Sequence, residues 1–235
     1  MKPIDPKLPR HVAIIMDGNR RWARKHRIQT ALGHRKGVEA LRKIIRESSD
    51  LGIESLSLYA FSTENWRRDR DEVNALMQLL SEYFLSEIDE LDEENVRIRI
   101  LGDHAGIPEK QRNEIEQAER RTAENSGLKL NIAINYGARD ETVRMVRSVL
   151  ERWKSGSIGT VTEETVSENL DTRFLPDVDL LIRTGGEKRL SNFLLLQCAY
   201  AELYFTDVLW PDFDVKAYHD ALTDYAGRKR RFGGN

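Results

Sequence analysis

The chain has a single cysteine, no long apolar run and no excess of one charge, and each shortage excludes a class of protein. One cysteine, Cys198, cannot form a disulfide within the chain, which favours a reducing compartment. No apolar run approaches the length that crosses a bilayer or forms a signal peptide. The formal net charge of -2 gives no indication of a nucleic-acid partner. We therefore expect a cytoplasmic protein that has no transmembrane segment and binds no nucleic acid.

What the chain does contain is a regular alternation of short apolar runs with amphipathic stretches over 235 residues. Runs of strand length lie at 12–16, 53–61, 96–101, 129–135, 178–182 and 204–210, and most are followed by helical patterns. This alternation predicts a single α/β domain, residues 1–235, with a mostly parallel central sheet flanked by helices. We expect residues 1–10 to form an N-terminal arm and residues 228–235 a C-terminal tail.

Two local patterns give more specific predictions about these elements. Arg97 and Arg99 alternate with apolar residues in the third strand, which indicates a solvated face and an edge position in the sheet. Either Ser191 or Asn192 has the side chain of a helix cap, so a helix is predicted through residues 193–200. A further helix is predicted to begin after the Gly-His pair at 33–34.

The first apolar run ends in a turn that has the chemistry of an anion site. Asp17, Gly18 and Asn19 follow the strand, and the basic pair Arg20 and Arg21 opens the next segment. Backbone N–H groups at a helix start and two guanidinium groups attract an anion, whereas Asp17 beside an anion requires a cation between them. The pattern favours a metal-bound phosphate or diphosphate. A tight turn before a solvated basic helix explains the same residues equally well.

Polar clusters also follow the second and fifth predicted strands, at 62–68 and 183–191. Because the carboxyl ends of parallel strands share one edge of a sheet, we expect the three clusters to converge. Together they supply guanidinium groups, hydroxyls and carboxylates, an inventory that suits a diphosphate with a divalent cation. The groups expected to face one space are Arg21, Arg183, Arg189, Ser62, Ser191, Asp17 and Glu202.

Several longer motifs occur in order along the chain. They are Asp-Gly-Asn-Arg-Arg-Trp (17–22), Gly-His (33–34), Tyr-Ala-Phe-Ser-Thr-Glu-Asn-Trp (59–66), Asn-Ile-Ala-Ile-Asn-Tyr-Gly (131–137), Ile-Arg-Thr-Gly-Gly-Glu-Lys-Arg-Leu-Ser-Asn-Phe (182–193) and Ala-Glu-Leu-Tyr-Phe-Thr-Asp-Val-Leu-Trp-Pro (201–211). This set, which spans nearly the whole chain, resembles the cis-prenyltransferase (undecaprenyl diphosphate synthase) family.

The resemblance implies a reaction, a cofactor and a partner. It implies an Mg²⁺-dependent transferase that condenses isopentenyl diphosphate onto an allylic diphosphate, with farnesyl diphosphate as the expected primer. The product would be a Z-polyprenyl diphosphate, undecaprenyl diphosphate being the lipid carrier of cell-wall synthesis. The resemblance also implies a homodimer, and a product that partitions into the membrane and places the enzyme at the membrane periphery.

The resemblance further implies a role for each matching residue. Asp17 and Asn65 correspond to the family's catalytic residues, and Asp17 and Glu202 to its metal ligands. Because an amide is a poor base, the diphosphate or water remains an alternative to Asn65 as the proton acceptor. The implied substrate-binding residues are Gly18, Asn19, Arg20, Arg21, Trp22, His34, Ser62, Thr63, Glu64, Trp66, Arg68, Arg183, Arg189, Leu190 and Ser191.

One departure from the family pattern leaves an alternative product open. Family members often have an arginine three residues before the Gly-His pair, where this chain has Thr30, so Arg20 or Arg27 would have to supply that contact. A short-chain or branched prenyl diphosphate synthase is therefore the first alternative. The second is a non-catalytic partner subunit, against which the intact Asp17, Asn65 and Arg183 argue.

The long helix predicted over 71–94 has an apolar stripe with two interpretations. The stripe consists of Val73, Leu76, Met77, Leu80, Phe84, Ile88 and Leu91. It either fills the core or walls a tunnel for a growing prenyl chain, in which case Tyr83, Phe84 and Leu85 are candidates for the end wall. At the C-terminus, the resemblance implies that the Arg-Phe-Gly element at 231–233 reaches the partner subunit's isopentenyl site.

Overall fold

The computed structural model describes residues 7–229, except the side chains of Phe84 and Leu85. The expectations about residues 1–6, about the element at 231–233 and about the Phe84 and Leu85 side chains therefore lie outside the described residues. Within the described part, six strands form one sheet and helices cover both of its faces. The predicted α/β fold with a parallel central sheet is confirmed.

The strands and helices follow one another in the predicted alternation. The strands are β1 His11–Ile15, β2 Ser55–Ser62, β3 Arg97–Leu101, β4 Lys129–Tyr136, β5 Leu180–Arg183 and β6 Glu202–Phe205. The α-helices are α1 Asn19–Lys25, α2 Thr30–Asp50, α3 Arg70–Glu93, α4 Glu109–Arg121, α5 Ala138–Lys154, α6 Glu163–Ser167 and α7 Val215–Gly227. Short 3-10 turns lie at Thr63–Arg67, His104–Gly106 and Trp210–Asp212.

The order of the strands determines where a ligand can bind. The order is β3-β4-β2-β1-β5-β6, and every neighbouring pair is parallel. The chain places β2, β3 and β4 on one side of β1, with β4 between β2 and β3, and then returns to the other side of β1 with β5 and β6. In open α/β sheets such a reversal leaves a crevice at the carboxyl ends of the strands. β3 lies at an edge, as its alternating arginines predicted.

Two hydrophobic cores pack against opposite faces of the sheet. In β1, Val12 and Ile14 contribute to the larger core, whereas Ala13 and Ile15 contribute to the smaller one. The larger core includes apolar residues of α2, α3, α4 and α7. Because both faces of β1 are covered, all five of its residues are buried and the strand is apolar at nearly every position.

The segment after β5 corrects one prediction. No helix forms at 193–200; these residues lie in bends and turns instead. Ser191, Asn192 and Leu194 adopt left-handed backbone angles, with φ of 49°, 64° and 44°. A right-handed helix cannot continue through such residues. Capping residues therefore occur at this point in the sequence without a helix following them.

Two predicted element boundaries were also wrong. α2 begins at Thr30, so Gly33 lies within the helix. A Cβ atom on Gly33 would lie 2.5 Å from the Asn19 carbonyl oxygen, which explains why glycine occurs at this helical position. The last strand ends at Phe205 and does not continue to Trp210, which opens a 3-10 turn. Among the helices of the described residues, none combines the length and apolar character needed to span a membrane.

Candidate active site

A cavity of about 1030 Å³ opens at the carboxyl ends of β1, β2 and β5. The arginines that line it are Arg20, Arg21, Arg24, Arg68, Arg183 and Arg189, and the carboxylates are Asp17 and Glu64. Six arginines against two carboxylates leave four positive charges in excess, so the polar part of the cavity favours anions. The apolar part is lined by side chains of α2, α3 and the sheet, including Val38, Leu41, Leu58, Leu76, Leu79, Leu80 and Ile132.

Contacts with Leu209, Trp210 and Thr184 fix the backbone of the turn after β1. Gly18 has a φ of 120°, and a Cβ atom there would lie 3.0 Å from Leu209 Cα, so the turn requires glycine. The Asp17 carbonyl oxygen accepts hydrogen bonds from the Trp210 backbone N–H at 3.0 Å and from Thr184 Oγ1 at 2.7 Å. These contacts fix the backbone that presents the Asp17 carboxylate to the cavity.

The Asp17 carboxylate lies between two arginines. Its Oδ1 is 3.0 Å from Arg21 Nη2, and its Oδ2 accepts a hydrogen bond from Arg183 Nη2 at 3.0 Å. The carboxylate is 30% exposed, whereas the Arg183 side chain is only 5% exposed. Two guanidinium groups around one carboxylate leave positive charge free for a further anion.

Arg183 connects this aspartate to the loop that follows β5. Its Nη1 donates to the Arg189 carbonyl oxygen at 2.5 Å and to Ser191 Oγ at 2.6 Å. Its buried Nε has no hydrogen-bond partner among the described residues. Arg21 donates to the Gly185 carbonyl oxygen in the same loop. The arginines thus join β1, α1 and the β5 loop into one anion site.

The segment after β2 forms the opposite wall of the cavity. Ser62 and Asn65 form a capping box around the Thr63–Arg67 turn, in which Asn65 Oδ1 accepts the Ser62 backbone N–H at 3.2 Å. Glu64 Oε1 accepts a hydrogen bond from Asn192 Nδ2 at 3.0 Å, which links this wall to the β5 loop. The predicted convergence of the three clusters after β1, β2 and β5 therefore occurs in the structure.

His34 and the start of α2 complete the cavity. Burial lowers the pKa of His34 to about 4, so the imidazole is neutral near pH 7. Its buried Nε2 has no hydrogen-bond partner among the described residues. Thr30 also lines the cavity, and so do Arg20 and Arg24, whereas Arg27 does not. Of the two arginines expected to compensate for Thr30, Arg20 is thus the one in place.

Several predicted site residues lie beside the cavity without lining it. Trp22 Nε1 donates to Asp212 Oδ1 at 2.7 Å, and Trp66 Nε1 donates to Asn135 Oδ1 at 2.8 Å. Leu190 packs against the smaller core. Within one chain, these residues and Thr63 are therefore placed to support the site and not to contact a substrate in the cavity.

Glu202 lies at the opposite end of the sheet from Asp17. It opens β6 and pairs in register with Leu180, the first residue of β5, whereas Asp17 follows the last residue of β1. Its carboxylate pairs with Arg228 at 2.8 Å. The structure of one chain therefore does not bring Glu202 to the site, contrary to the expected convergence.

Several residues contribute to the site through tertiary contacts that the sequence did not predict. Thr184 and Trp210 hold the Asp17 backbone, and Asn192 joins two walls of the cavity. Asn192 had been interpreted as a possible helix cap. In the structure its carbonyl oxygen and its Oδ1 accept N–H groups at the start of α5, so it caps a helix distant in sequence. No local pattern reveals such a partner.

The donor set fits a magnesium ion that arrives with a diphosphate. Among the described residues, no group of three or more His, Cys, Asp or Glu side chains is arranged to hold a metal ion. Mg²⁺ usually takes one or two carboxylates and completes its shell with phosphate oxygens and water. Asp17, which lies between Arg21 and Arg183 at the cavity, is the carboxylate that would form the protein part of such a shell.

Comparison with known proteins identifies the family. The prenyltransferase family model described as undecaprenyl diphosphate synthase matches residues 15–233. An isoprenyl transferase of Clostridium perfringens is 48% identical over 233 residues, covering 98% of this chain and 92% of that protein. The (2E,6E)-farnesyl-diphosphate-specific ditrans,polycis-undecaprenyl-diphosphate synthase of Escherichia coli K12 is also 48% identical, over 99% of this chain and 94% of that protein.

A solved structure agrees with these relatives. Lavandulyl diphosphate synthase from Lavandula x intermedia, in complex with dimethylallyl diphosphate, has a TM-score of 0.95 and 36% identity. The match covers 97% of this chain and all of that one. With a family model that spans most of the chain and relatives close to half identical, the chain belongs to the undecaprenyl diphosphate synthase family of prenyltransferases.

Proposed function

We propose that this prenyltransferase condenses isopentenyl diphosphate onto farnesyl diphosphate and repeats the step to make undecaprenyl diphosphate. The observation that carries the proposal is that one cavity joins an arginine-rich mouth to an apolar wall. A prenyl diphosphate has the same division into an anionic head and a hydrocarbon chain. The primer and product are those named for the Escherichia coli relative, which matches this chain nearly end to end.

The two diphosphates are assigned to different parts of the mouth. Gly18, Asn19, Arg20 and Arg21 at the start of α1 hold the allylic diphosphate, with the neutral His34 beside it. Helix-start N–H groups and guanidinium groups are suited to phosphate oxygens. Arg183, Arg189 and Ser191 hold the diphosphate of isopentenyl diphosphate. Asp17 lies between these groups, in contact with Arg21 and Arg183.

The reaction forms a carbon–carbon bond and releases diphosphate. The isopentenyl double bond attacks the allylic carbon as its carbon–oxygen bond breaks, and a proton then leaves the new unit. Arginines around the departing diphosphate stabilise the charge that develops on it. Asn65 Oδ1 already accepts the Ser62 N–H, so its amide orients the substrate and an oxygen of diphosphate or water takes the proton.

Asp17 is assigned as the protein ligand of Mg²⁺. A bound Mg²⁺ supplies Lewis-acid stabilisation of the diphosphate oxygens. Both carboxylate oxygens of Asp17 are engaged by arginines here, so a free ion would have to displace a guanidinium group. A diphosphate offers those arginines a new anionic partner, and this releases the carboxylate. Metal and diphosphate are therefore expected to bind together. Glu202 would need a second chain to reach the same metal.

The proposed function is tested by turnover of the purified protein. The enzyme is incubated with labelled isopentenyl diphosphate and with dimethylallyl, geranyl or farnesyl diphosphate, and the products are sized by chromatography. We expect farnesyl diphosphate to give the highest kcat/KM and long Z-polyprenyl products. EDTA should stop turnover and added Mg²⁺ should restore it. Single condensation products from every primer would contradict undecaprenyl synthesis.

A short-chain or branched synthase is the second candidate. The observation that favours it is the close likeness to lavandulyl diphosphate synthase, together with Thr30 in place of an arginine. The apolar part of the cavity argues for the long product, since a branched or single-step product needs no extended wall. In the same assay, a branched product from dimethylallyl diphosphate alone would favour this second candidate.

The α3 stripe supports a tunnel for the growing chain. Leu76 and Leu80 line the cavity and Ile88 packs against the larger core, while Tyr83 also lines the cavity and is 4% exposed. Each CH₂ group that moves from water into such a wall gains about 0.8 kcal/mol. Elongation therefore continues until the chain meets an obstacle, and Tyr83 is the residue to which we assign that role.

Replacing Tyr83 by alanine is expected to lengthen the products. Removing the ring extends the tunnel, whereas Tyr83→Trp should shorten the distribution. Product chromatography is run beside a thermal melt, with KM for the allylic primer as the control for an intact mouth. If Tyr83 only fills the core, the alanine variant loses roughly 3–5 kcal/mol of stability and keeps its product length. That result would contradict the assignment of Tyr83 as the residue that stops chain growth.

An exposed apolar stripe on α5 supports a homodimer. Val143, Val146, Leu150 and Trp153 recur at helical spacing, and each is between 45% and 57% exposed. A stripe of this kind on one helix can pack against its own copy about a two-fold axis. We propose that this stripe packs against a second copy of this chain, in agreement with the dimer that the family resemblance implies.

Placing a charge in the stripe is expected to dissociate the dimer. Leu150→Glu would bury a carboxylate without a partner, so its molar mass in light scattering should fall to that of a monomer. Leu32→Glu is the matched control, because Leu32 is 48% exposed and lies on α2, away from the stripe. A monomeric wild type, or a dimeric Leu150→Glu variant, would contradict the assignment.

A further inference from the structure

The motif at 131–137 has no part in the chemistry described so far, although its fifth residue is unusually placed. Asn135 lies in β4, is only 6% exposed and has a left-handed φ of 49°. Asparagine is one of the few side chains that adopt this region readily. The position therefore requires a residue that combines left-handed backbone geometry with a side chain able to hydrogen-bond while buried.

Both ends of the Asn135 amide are used. Its Nδ2 donates to the Asp103 carbonyl oxygen at 2.8 Å, and its Oδ1 accepts the Trp66 indole N–H at 2.8 Å. A Cβ atom on Gly106 would lie 2.4 Å from Asn135 Nδ2, so the amide is enclosed on that side. One end faces a carbonyl and the other an N–H donor, which leaves the amide a single favourable orientation.

Trp66 connects the fixed amide of Asn135 to the wall of the cavity. It belongs to the Thr63–Arg67 turn and follows Asn65 directly. Its ring packs edge-on against Phe61, with the ring centroids 4.8 Å apart. Asn65 lines the cavity and Trp66 does not, so the indole anchors the turn from behind.

The end of β4 supports the other side of the same turn. A Cβ atom on Gly137 would lie 2.8 Å from Thr63 Oγ1 and 2.7 Å from Asn192 Nδ2. Glycine at this position therefore lets the first residue of the turn and the β5 loop approach the strand closely. The turn is seated on β4 at both ends, by a hydrogen bond at Trp66 and by close packing at Thr63.

We propose that Asn135 is a positioning residue that acts through Trp66 to fix the orientation of the Asn65 amide. The inference rests on the proposed role of Asn65 in the reaction. Without the hydrogen bond the turn can pivot on Phe61, and the amide leaves its productive orientation in part of the population. Because the allylic diphosphate is held by residues of α1, the loss falls on kcat and leaves KM for the allylic primer nearly unchanged.

The test compares two substitutions that both tolerate the left-handed backbone. Asn135→Gly removes both side-chain hydrogen bonds, and we expect kcat to fall about tenfold. Asn135→Asp keeps an acceptor for the Trp66 indole but places an oxygen against the Asp103 carbonyl oxygen, so its kcat should lie between those of Asn135→Gly and the wild type. Asn95→Gly is the matched control, since Asn95 has a φ of 59° and its side chain hydrogen-bonds to Ser126, away from the cavity. It should behave as the wild type.

A double-substitution cycle with Trp66→Phe separates positioning from general stability. Phenylalanine keeps the ring contact with Phe61 and loses the N–H donor. If Asn135 acts through the indole, Asn135→Gly should lower kcat less than twofold further in the Trp66→Phe background. An undiminished tenfold loss in that background, or wild-type kcat in folded Asn135→Gly, would overturn the proposal.

One readout does not depend on turnover. The Trp66 indole N–H resonance, assigned by its disappearance in Trp66→Phe, should move and exchange faster with solvent in Asn135→Gly but not in Asn95→Gly. If the wild type failed to make prenyl products, the proposed function would fail while this resonance still reported the Asn135 contact. An unchanged resonance in Asn135→Gly would by itself contradict the inference.

Discussion

Replacing Asp17 by alanine is expected to lower kcat by about a hundredfold or more while the protein stays folded. The carboxylate is 30% exposed at the cavity and its backbone is held independently by Thr184 and Trp210. Its loss therefore removes the proposed metal ligand and the carboxylate partner of Arg21 and Arg183, but no apolar core contact. Steady-state kinetics with farnesyl and isopentenyl diphosphate, run beside a thermal melt, measures both effects.

The matched control for Asp17 is an aspartate outside the cavity. Asp220 lies on α7 and pairs with Lys216 at 3.0 Å, so Asp220→Ala should turn over like the wild type. Calorimetry adds a second check, because Mg²⁺ should bind the wild type more tightly in the presence of inorganic diphosphate than alone. Near-normal turnover in folded Asp17→Ala would remove this residue from the proposed mechanism.

Replacing Arg183 by lysine is expected to lower kcat/KM for isopentenyl diphosphate by about a hundredfold. The guanidinium group reaches Asp17, Ser191 and the Arg189 carbonyl at once, which a single ammonium group cannot do. Two hydrogen bonds that the guanidinium group would make to the proposed isopentenyl diphosphate, and that lysine would not, are worth about 3 kcal/mol, and each 1.4 kcal/mol corresponds to a factor of ten. The effect should be larger for isopentenyl diphosphate than for the allylic primer.

Measuring kcat/KM for both isopentenyl diphosphate and the allylic primer shows whether the loss is specific to one substrate. Arg120→Lys is the control, because Arg120 is exposed on α4 and pairs with Glu116 at 3.4 Å. Arg183→Lys should also lower the melting temperature, since it leaves a buried pocket imperfectly filled. An equal loss for both substrates would indicate general disruption and would withdraw the specific assignment of Arg183 to isopentenyl diphosphate.

The sequence predicted the sheet and its main site because both depend on local patterns. Apolar runs such as 12–16 mark buried strands, and turn residues mark where those strands end. In a parallel sheet the carboxyl ends share one edge, so the convergence of Asp17 with Arg183 follows from strand direction alone. The edge position of β3 was likewise readable, since its arginines alternate with apolar residues.

The failed predictions concern segments whose contacts come from distant parts of the chain. The sequence from 191 to 200 has caps and apolar residues, yet the Asn192 carbonyl accepts an N–H group from α5 and the backbone turns left-handed. Gly33 looked like the end of a loop, but it lies in a helix because α1 packs against it. Glu202 was expected to face the same space as Asp17, but within one chain the register of β6 places it at the other end of the sheet, so its role as a metal ligand stays a prediction.

By itself the sequence determined the alternation of strands and helices, the edge of the sheet at which the polar clusters meet and the chemical character of those clusters, because periodicity and residue type act locally. The tertiary structure decided which polar groups meet. It places Asp17 between two arginines, pairs the Asn135 side chain with the Trp66 indole and puts Glu202 at the opposite end of the sheet from Asp17. Such pairings depend on register and packing between elements far apart in sequence, and no local pattern carries that information.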